Sequence, residues 1–181
     1  ILNPKQPDCS YPFKGLCGGA VVFKLIQAVS QLLELDDDLV HQYIDLITLG
    51  TAADIVPLTD ENRIIVKHGL KSLSKTKRPG LRALLEVSGL GEKELTVGRL
   101  LFWAAPRINA AGRLGDANRA VQLMTTENLP ESLKLARELD EENRQRQDLQ
   151  QSMVDEAIMK VNAEVDLEKE KAIVLWDDNW H

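Results

Sequence analysis

Two short segments hold residue types that suit chemistry better than packing. The first is Gly50-Thr51-Ala52-Ala53-Asp54-Ile55-Val56-Pro57, where one carboxylate follows two alanines and precedes an apolar run through Leu58 that reads as buried. An ionised Asp among apolar neighbours is costly unless paired or bound to a metal. A hard cation such as Mg²⁺ or Mn²⁺ prefers oxygen ligands. The plainer alternative is that Asp54 caps a helix or shapes a turn. The second segment, Pro106-Arg107-Ile108-Asn109-Ala110-Ala111-Gly112-Arg113-Leu114-Gly115-Asp116, reads as an irregular loop. Its arginines, amide and small residues suit an approaching phosphate, because guanidinium groups grip phosphate oxygens bidentately. Arginines tying a loop to helix carbonyls would look the same, and spacing leaves both readings open.

The elements that must position these segments follow from periodicity. Ile1 to Pro4 resembles the end of a strand, and Lys5 to Lys14, with two prolines, a loop. Gly18-Gly19 opens a helix to about Leu35, with Val22, Leu25, Ile26, Val29, Leu32 and Leu33 at helical spacing. Asp36 to Asp38 suit the first turn of a second helix that stops at Gly50. Thr59 caps a third helix, whose Arg63, Lys67, Lys71 and Lys75 recur every four residues as one basic stripe. Pro79 starts a short helix that Gly89 ends, Thr96 caps another through Trp103, and Asp116 caps the next. Pro130 to about Asn162 forms one long helix whose middle, Glu141 to Gln151, is almost wholly polar, as in helices bridging two domains. Lys171 to Trp176 returns to a strand pattern.

These elements define an α/β chain. Residues 1–128 read as a mostly helical unit, 129–165 as a connecting helix, and 166–181 as the start of a second domain. The ends, without an initiating Met and inside probable strands, suggest a piece of a longer protein.

Composition narrows the classes. With 181 residues, 44% hydrophobic and 28% charged, the chain is of globular type. Its longest apolar stretches are a few residues, against roughly 20 for a bilayer span, so no membrane is expected. Cys9 and Cys17 lack metal-ligand or disulfide-framework spacing, which fits a cytoplasmic setting. Net charge is −6, yet residues 63–119 hold 12 basic and 4 acidic side chains. Counterion release depends on such local patches, not on the total.

GTAADIVPL followed by PRINAAGRLGD resembles the bacterial RecJ family, single-stranded-DNA-specific exonucleases of the DHH phosphoesterase superfamily. ILNPKQPDCSYPFK, GGAVVFKL, ENRIIVKHGL, RPGLRALLEVSG, LDEENRQRQ and DNWH agree in the same order. The resemblance implies a 5′-to-3′ exonuclease that releases mononucleotides in repair and recombination, with Mn²⁺ or Mg²⁺ on aspartates and histidines from several motifs. It implies that residues 1–128 are the mostly helical C-terminal part of a DHH-type parallel-sheet catalytic domain and 166–181 the first strand of a second α/β domain, that Asp54 is a metal ligand, that the other ligands lie outside these residues, and that Arg107, Asn109, Arg113 and His181 contact DNA or its phosphates. Single-stranded DNA, single-strand-binding protein and a helicase would be the partners, and the piece alone would be inactive. The alternatives are another DHH phosphodiesterase acting on short oligonucleotides or cyclic dinucleotides, and a non-catalytic scaffold of the same fold.

Overall fold

The computed structural model describes residues 2–36, 38–114, 116–166 and 169–180, without the side chains of Leu39, Arg113 and Leu114. α1 (Gly18–Leu32) is capped by Cys17, whose Sγ accepts the Ala20 N–H at 3.4 Å. It buries Ala20 and Phe23 but leaves Val22, Leu25, Val29 and Leu32 exposed. A single helix over 39–49 is expected, and the structure instead shows α2 (Asp38–His41) and α3 (Ile44–Ala53), broken at residues 42–43. Asp45, 4% exposed, anchors the new start by accepting the Leu46 N–H at 2.8 Å and the Thr76 hydroxyl at 2.7 Å. Nor does Gly50 end α3. Thr51 and Ala52, immediately after it, are fully or almost fully buried, and their packing outweighs the roughly 1 kcal/mol helix penalty of glycine.

α4 (Asp60–Leu73) runs back antiparallel along α3. Thr59 stands at its N-cap position without a side-chain cap bond. The two helices touch through Gly69, where a Cβ would meet Thr48 Oγ1 at 1.6 Å, so no larger residue fits this crossing. α5 (Pro79–Val87) ends as the sequence predicts: Gly89 takes φ +67°, its N–H reaches Glu86 O, and Leu90 N–H reaches Leu85 O at 2.8 Å.

The loop expected over Pro106–Asp116 is instead helix as far as Leu114. α6 (Val97–Arg99), capped by Thr96, runs through a π-helical turn at Leu100–Ala104 into α7 (Ala105–Leu114). Alanine is the best helix former, and Ala104, Ala105, Ala110 and Ala111 are all buried, at most 1% exposed. Small residues seven apart therefore pack helix against helix here. Pro106 is tolerated because the adjoining π-turn already interrupts the regular ladder.

α8 (Asn118–Thr125) follows. The Asp116 carboxylate accepts the Asn118 N–H at 2.9 Å, which holds its carboxyl below the usual range. α9 (Leu129–Glu164) starts at Asn128, whose side chain accepts the Glu131 N–H. At 1.5 Å per residue its 36 residues span about 54 Å. Leu135, Ala136 and Leu139 pack into the core with α5, α7 and α8, and Asn143 is the last buried residue. Beyond it the helix is largely exposed.

The core has two parts, with α3 and α4 contributing to both. One gathers leucines of α5, α8 and α9 with Leu49, Ala52 and Ala111; the other packs Phe23, Cys17 and Leu16 against Val40 and Ile65. No strand occurs among the described residues, which corrects the expectations at 2–4 and 171–176. A strand needs a neighbour for its backbone groups, and neither segment has one here. Residues 176–180 instead fold back on α9: Lys160 Nζ meets Asp177 Oδ2 at 2.5 Å, and Trp180 Nε1 donates to Glu156.

Glu61 joins three parts of the smaller core. It accepts from Tyr11 Oη at 2.7 Å and pairs with Lys24 at 2.8 Å. Burial and the Glu61 bond push the Tyr11 hydroxyl up to about 12. A folded pKa above the unfolded value gives stability that is complete below about pH 10 and is lost as pH rises to about 12. The difference in melting temperature between the native chain and Tyr11→Phe should therefore shrink over that interval. A constant difference would show that the phenol does not titrate there.

Candidate functional site

Asp54 closes α3 as its C-cap residue, with φ −83° and its N–H on Gly50 O at 3.0 Å. Its side chain is exposed, and so are Ile55, Pro57 and Leu58, which corrects the expectation of a buried, apolar flank. The sequence read the Ile-Val-Pro-Leu run as core, whereas the core is filled from α3 itself. A carboxylate at the negative end of a helix dipole is locally unfavourable and attracts a cation. Ile55 adds strain, since a β-branched residue at φ +54° is an outlier of the kind that clusters at functional sites, at about 1–3 kcal/mol.

Neighbouring side chains hold this turn in place. Asn62, wholly buried, donates to Pro57 O at 2.9 Å and to Gly15 O at 2.7 Å, so it ties the segment after Asp54 to the loop before α1. Thr51 donates to Ile47 O at 2.7 Å and lies 3.4 Å from Cys17 Sγ. Neither Asn62 nor Cys17 was singled out from sequence; a polar residue inside the apolar pattern of ENRIIV was the available signal.

Exposed oxygen donors of this kind suit Mg²⁺ or Mn²⁺. Among the described residues, however, no group of three or more His, Cys, Asp or Glu could hold a metal ion. Asp54 fits as one ligand of a larger set and does not form a site alone.

α7 packs against α3, but its polar residues divide. Arg107 is half-buried and its donors are spent: Nε and Nη2 reach Asp140 Oδ1 at 2.8 and 2.7 Å, Nη2 also reaches Val87 O, and Nη1 donates to Trp103 O. The tie, not the phosphate contact, is what the structure shows for Arg107. Asn109 is exposed, and its side chain makes no hydrogen bond among the described residues. Arg113 follows four positions later on α7, and its side chain lies outside the described residues, as does His181. Phe102 is 74% exposed and Trp103 42%, with Lys93 Nζ 4.3 Å from the Trp103 ring centroid. Sequence placed this pair in a helix without marking its exposure. His41 and His68 are exposed.

Comparison with known proteins places the chain alongside segments of single-strand-specific nucleases. The similarity is to RecJ: the chain is 48% identical over 164 residues to the single-stranded-DNA-specific exonuclease RecJ of Bacillus subtilis, covering 89% of this chain and 20% of that protein. It is 39% identical to RecJ of Escherichia coli over 87% of this chain and 29% of the relative. A crystal structure of RecJ in complex with Mn²⁺ from Thermus thermophilus superposes with a TM-score of 0.78 at 38% identity, over 97% of this chain and 25% of that one. An exonuclease RecJ bound to manganese gives 0.77 at 37% identity, over 94% and 42%. The chain thus spans a fifth to a third of the length of the curated relatives it matches. No protein-family profile matches it.

Proposed function

We propose that the chain is part of a metal-dependent exonuclease that degrades single-stranded DNA from the 5′ end to mononucleotides during repair and recombination. Identity of 35–48% to RecJ exonucleases supports this reading. The observation that carries it is the Asp54 carboxylate, exposed at a helix end inside a segment that superposes on Mn²⁺-bound RecJ. Asp54 would hold one position on Mn²⁺ or Mg²⁺, ions that lower the pKa of bound water and stabilise charge on the reacting phosphate. Asn62 and Thr51 keep the Asp54 turn fixed. The exposed stripe Arg63, Lys67, Lys71 and Lys75 holds the sugar-phosphate backbone without reading bases. Asn109 and Arg113 present α7 to phosphates, and Arg107 braces that helix from behind.

In the same reading, residues 1–128 are the helical part of a catalytic domain whose parallel sheet lies outside this chain. Residues 129–165 connect it to a second α/β domain beginning at 166, where His181 would meet DNA. The location is cytoplasmic, and single-strand-binding protein and a helicase are the partners. No described helix is long and apolar enough to cross a membrane.

The 181 residues alone are expected to be inactive, because an ion of this kind needs about six ligands. The test is calorimetric titration of the chain with Mn²⁺, with assays of the chain and of a full-length protein containing it on 5′-phosphorylated single strands, duplexes and cyclic dinucleotides. Mononucleotide release from single strands by the longer protein only is the expected result. Preference for cyclic dinucleotides would overturn the substrate assignment, and micromolar Mn²⁺ binding by the chain alone would overturn its inactivity.

A further inference from the structure

Opposite the Asp54 end of α3, the turn between α4 and α5 borders an open groove of about 1010 Å³. Lys71, Lys75 and Lys77 line it, all exposed and none in an ion pair among the described residues. The other groups nearby are accounted for. Arg78 is 3.4 Å from Asp45 Oδ1, donates to Gln42 O at 3.0 Å, and lies over the Tyr43 ring at 5.1 Å. Asp45 is buried and bound by Thr76, so the carboxylate left on the rim is that of Glu127.

We propose that this groove is a second phosphate-holding site, one that takes the backbone of single-stranded nucleic acid some distance from Asp54. The inference rests on the reading of the chain as a single-strand binder. Arg63, Lys67 and Lys71 succeed one another every four residues on α4, about 6 Å along the helix axis, and Lys75 follows in the turn just past its end, a track of single charges matched to the repeated charges of an extended polyanion. Because α4 runs antiparallel to α3, the track starts beside the segment after Asp54 and reaches the groove at Lys71, about 12 Å along the axis. Lys77 and the amino end of α5 extend the positive field past the last turn of α4. Lysines are compact point charges that hold phosphates without selecting bases. A patch this basic, in a chain of net charge −6, is also where counterion release has most to give.

The test measures binding of the 181-residue chain to fluorescent dT20 in EDTA across a salt series. Lys71→Gln/Lys75→Gln/Lys77→Gln should weaken binding and reduce the salt slope by about 2, at about 0.7 per lost phosphate contact on single strands. The triple Lys→Arg variant, which keeps the charge, should bind like the native chain. Native binding that falls in Arg63→Gln/Lys67→Gln but keeps its slope in the lysine triple variant would overturn the groove and leave the nuclease reading standing. Failure of the native chain to bind dT20 at all would overturn the groove, while the nuclease reading stands or falls on the assay of the full-length protein. If a poly-glutamate peptide binds with the same lysine dependence and dT20 does not, the groove takes acidic polypeptide and the inference is wrong.

Discussion

Asp54→Asn, made in a full-length protein that contains these residues, is expected to reduce Mn²⁺-dependent release of mononucleotides by more than about 100-fold. Outer-shell partners of a metal typically cost 10–100-fold when altered, and a direct ligand should exceed that range. The amide keeps the shape of the carboxylate while removing the charge that draws a cation to the end of α3. The fold should survive, since Asp54 is exposed and its N–H, not its carboxylate, closes the helix. Near-normal turnover at saturating Mn²⁺ would return Asp54 to the role of an ordinary C-cap.

Arg107→Ala should act on stability instead. Arg107 and Asp140 side chains are only 16% and 13% exposed. Removing one member of a buried pair costs about 3–5 kcal/mol where the partner keeps an uncompensated charge, but Asp140 still has Arg144 at 3.2 Å, so the expected loss is smaller, about 2 kcal/mol. A double-mutant cycle with Asp140→Ala measured by denaturant unfolding should return a coupling energy, while the salt slope for single strands stays unchanged. A slope lower by about 0.7, with melting unaffected, would instead make Arg107 a phosphate contact.

The difference between Arg107 as loop and Arg107 as brace shows where sequence stops being informative. PRINAAGR contains a proline, a glycine and an amide, all loop formers by local rule, and only the burial of its four neighbouring alanines reveals that packing overrides them. Tertiary contact decided the same way at Gly50, which Thr51 and Ala52 carry into α3. Where local chemistry alone sets the outcome, sequence and structure agree: the cap at Thr96, the left-handed Gly89, and the long polar helix. Asp54 was legible as a residue, but its exposure was not, because an apolar run after a helix looks the same whether it faces core or solvent. The strand pattern at 171–176 shows a further limit, since alternation records what a segment can pair with, not whether a partner is present.

α9 is held along its first half, with Arg107 on Asp140 and Arg119 on Glu142 as its outermost ionic ties to α7 and α8. From Asn143 to Glu164 it projects about 32 Å at 1.5 Å per residue. Such a rod is a mechanical amplifier: a 5° tilt at the clamped stretch carries the tip about 3 Å, roughly the length of one hydrogen bond. Whatever is fastened at the far end therefore reads small rearrangements at α7 as displacements large enough to make or break contacts. The stiffness of that clamp, set by two arginines on a helix and its neighbour, sets the gain.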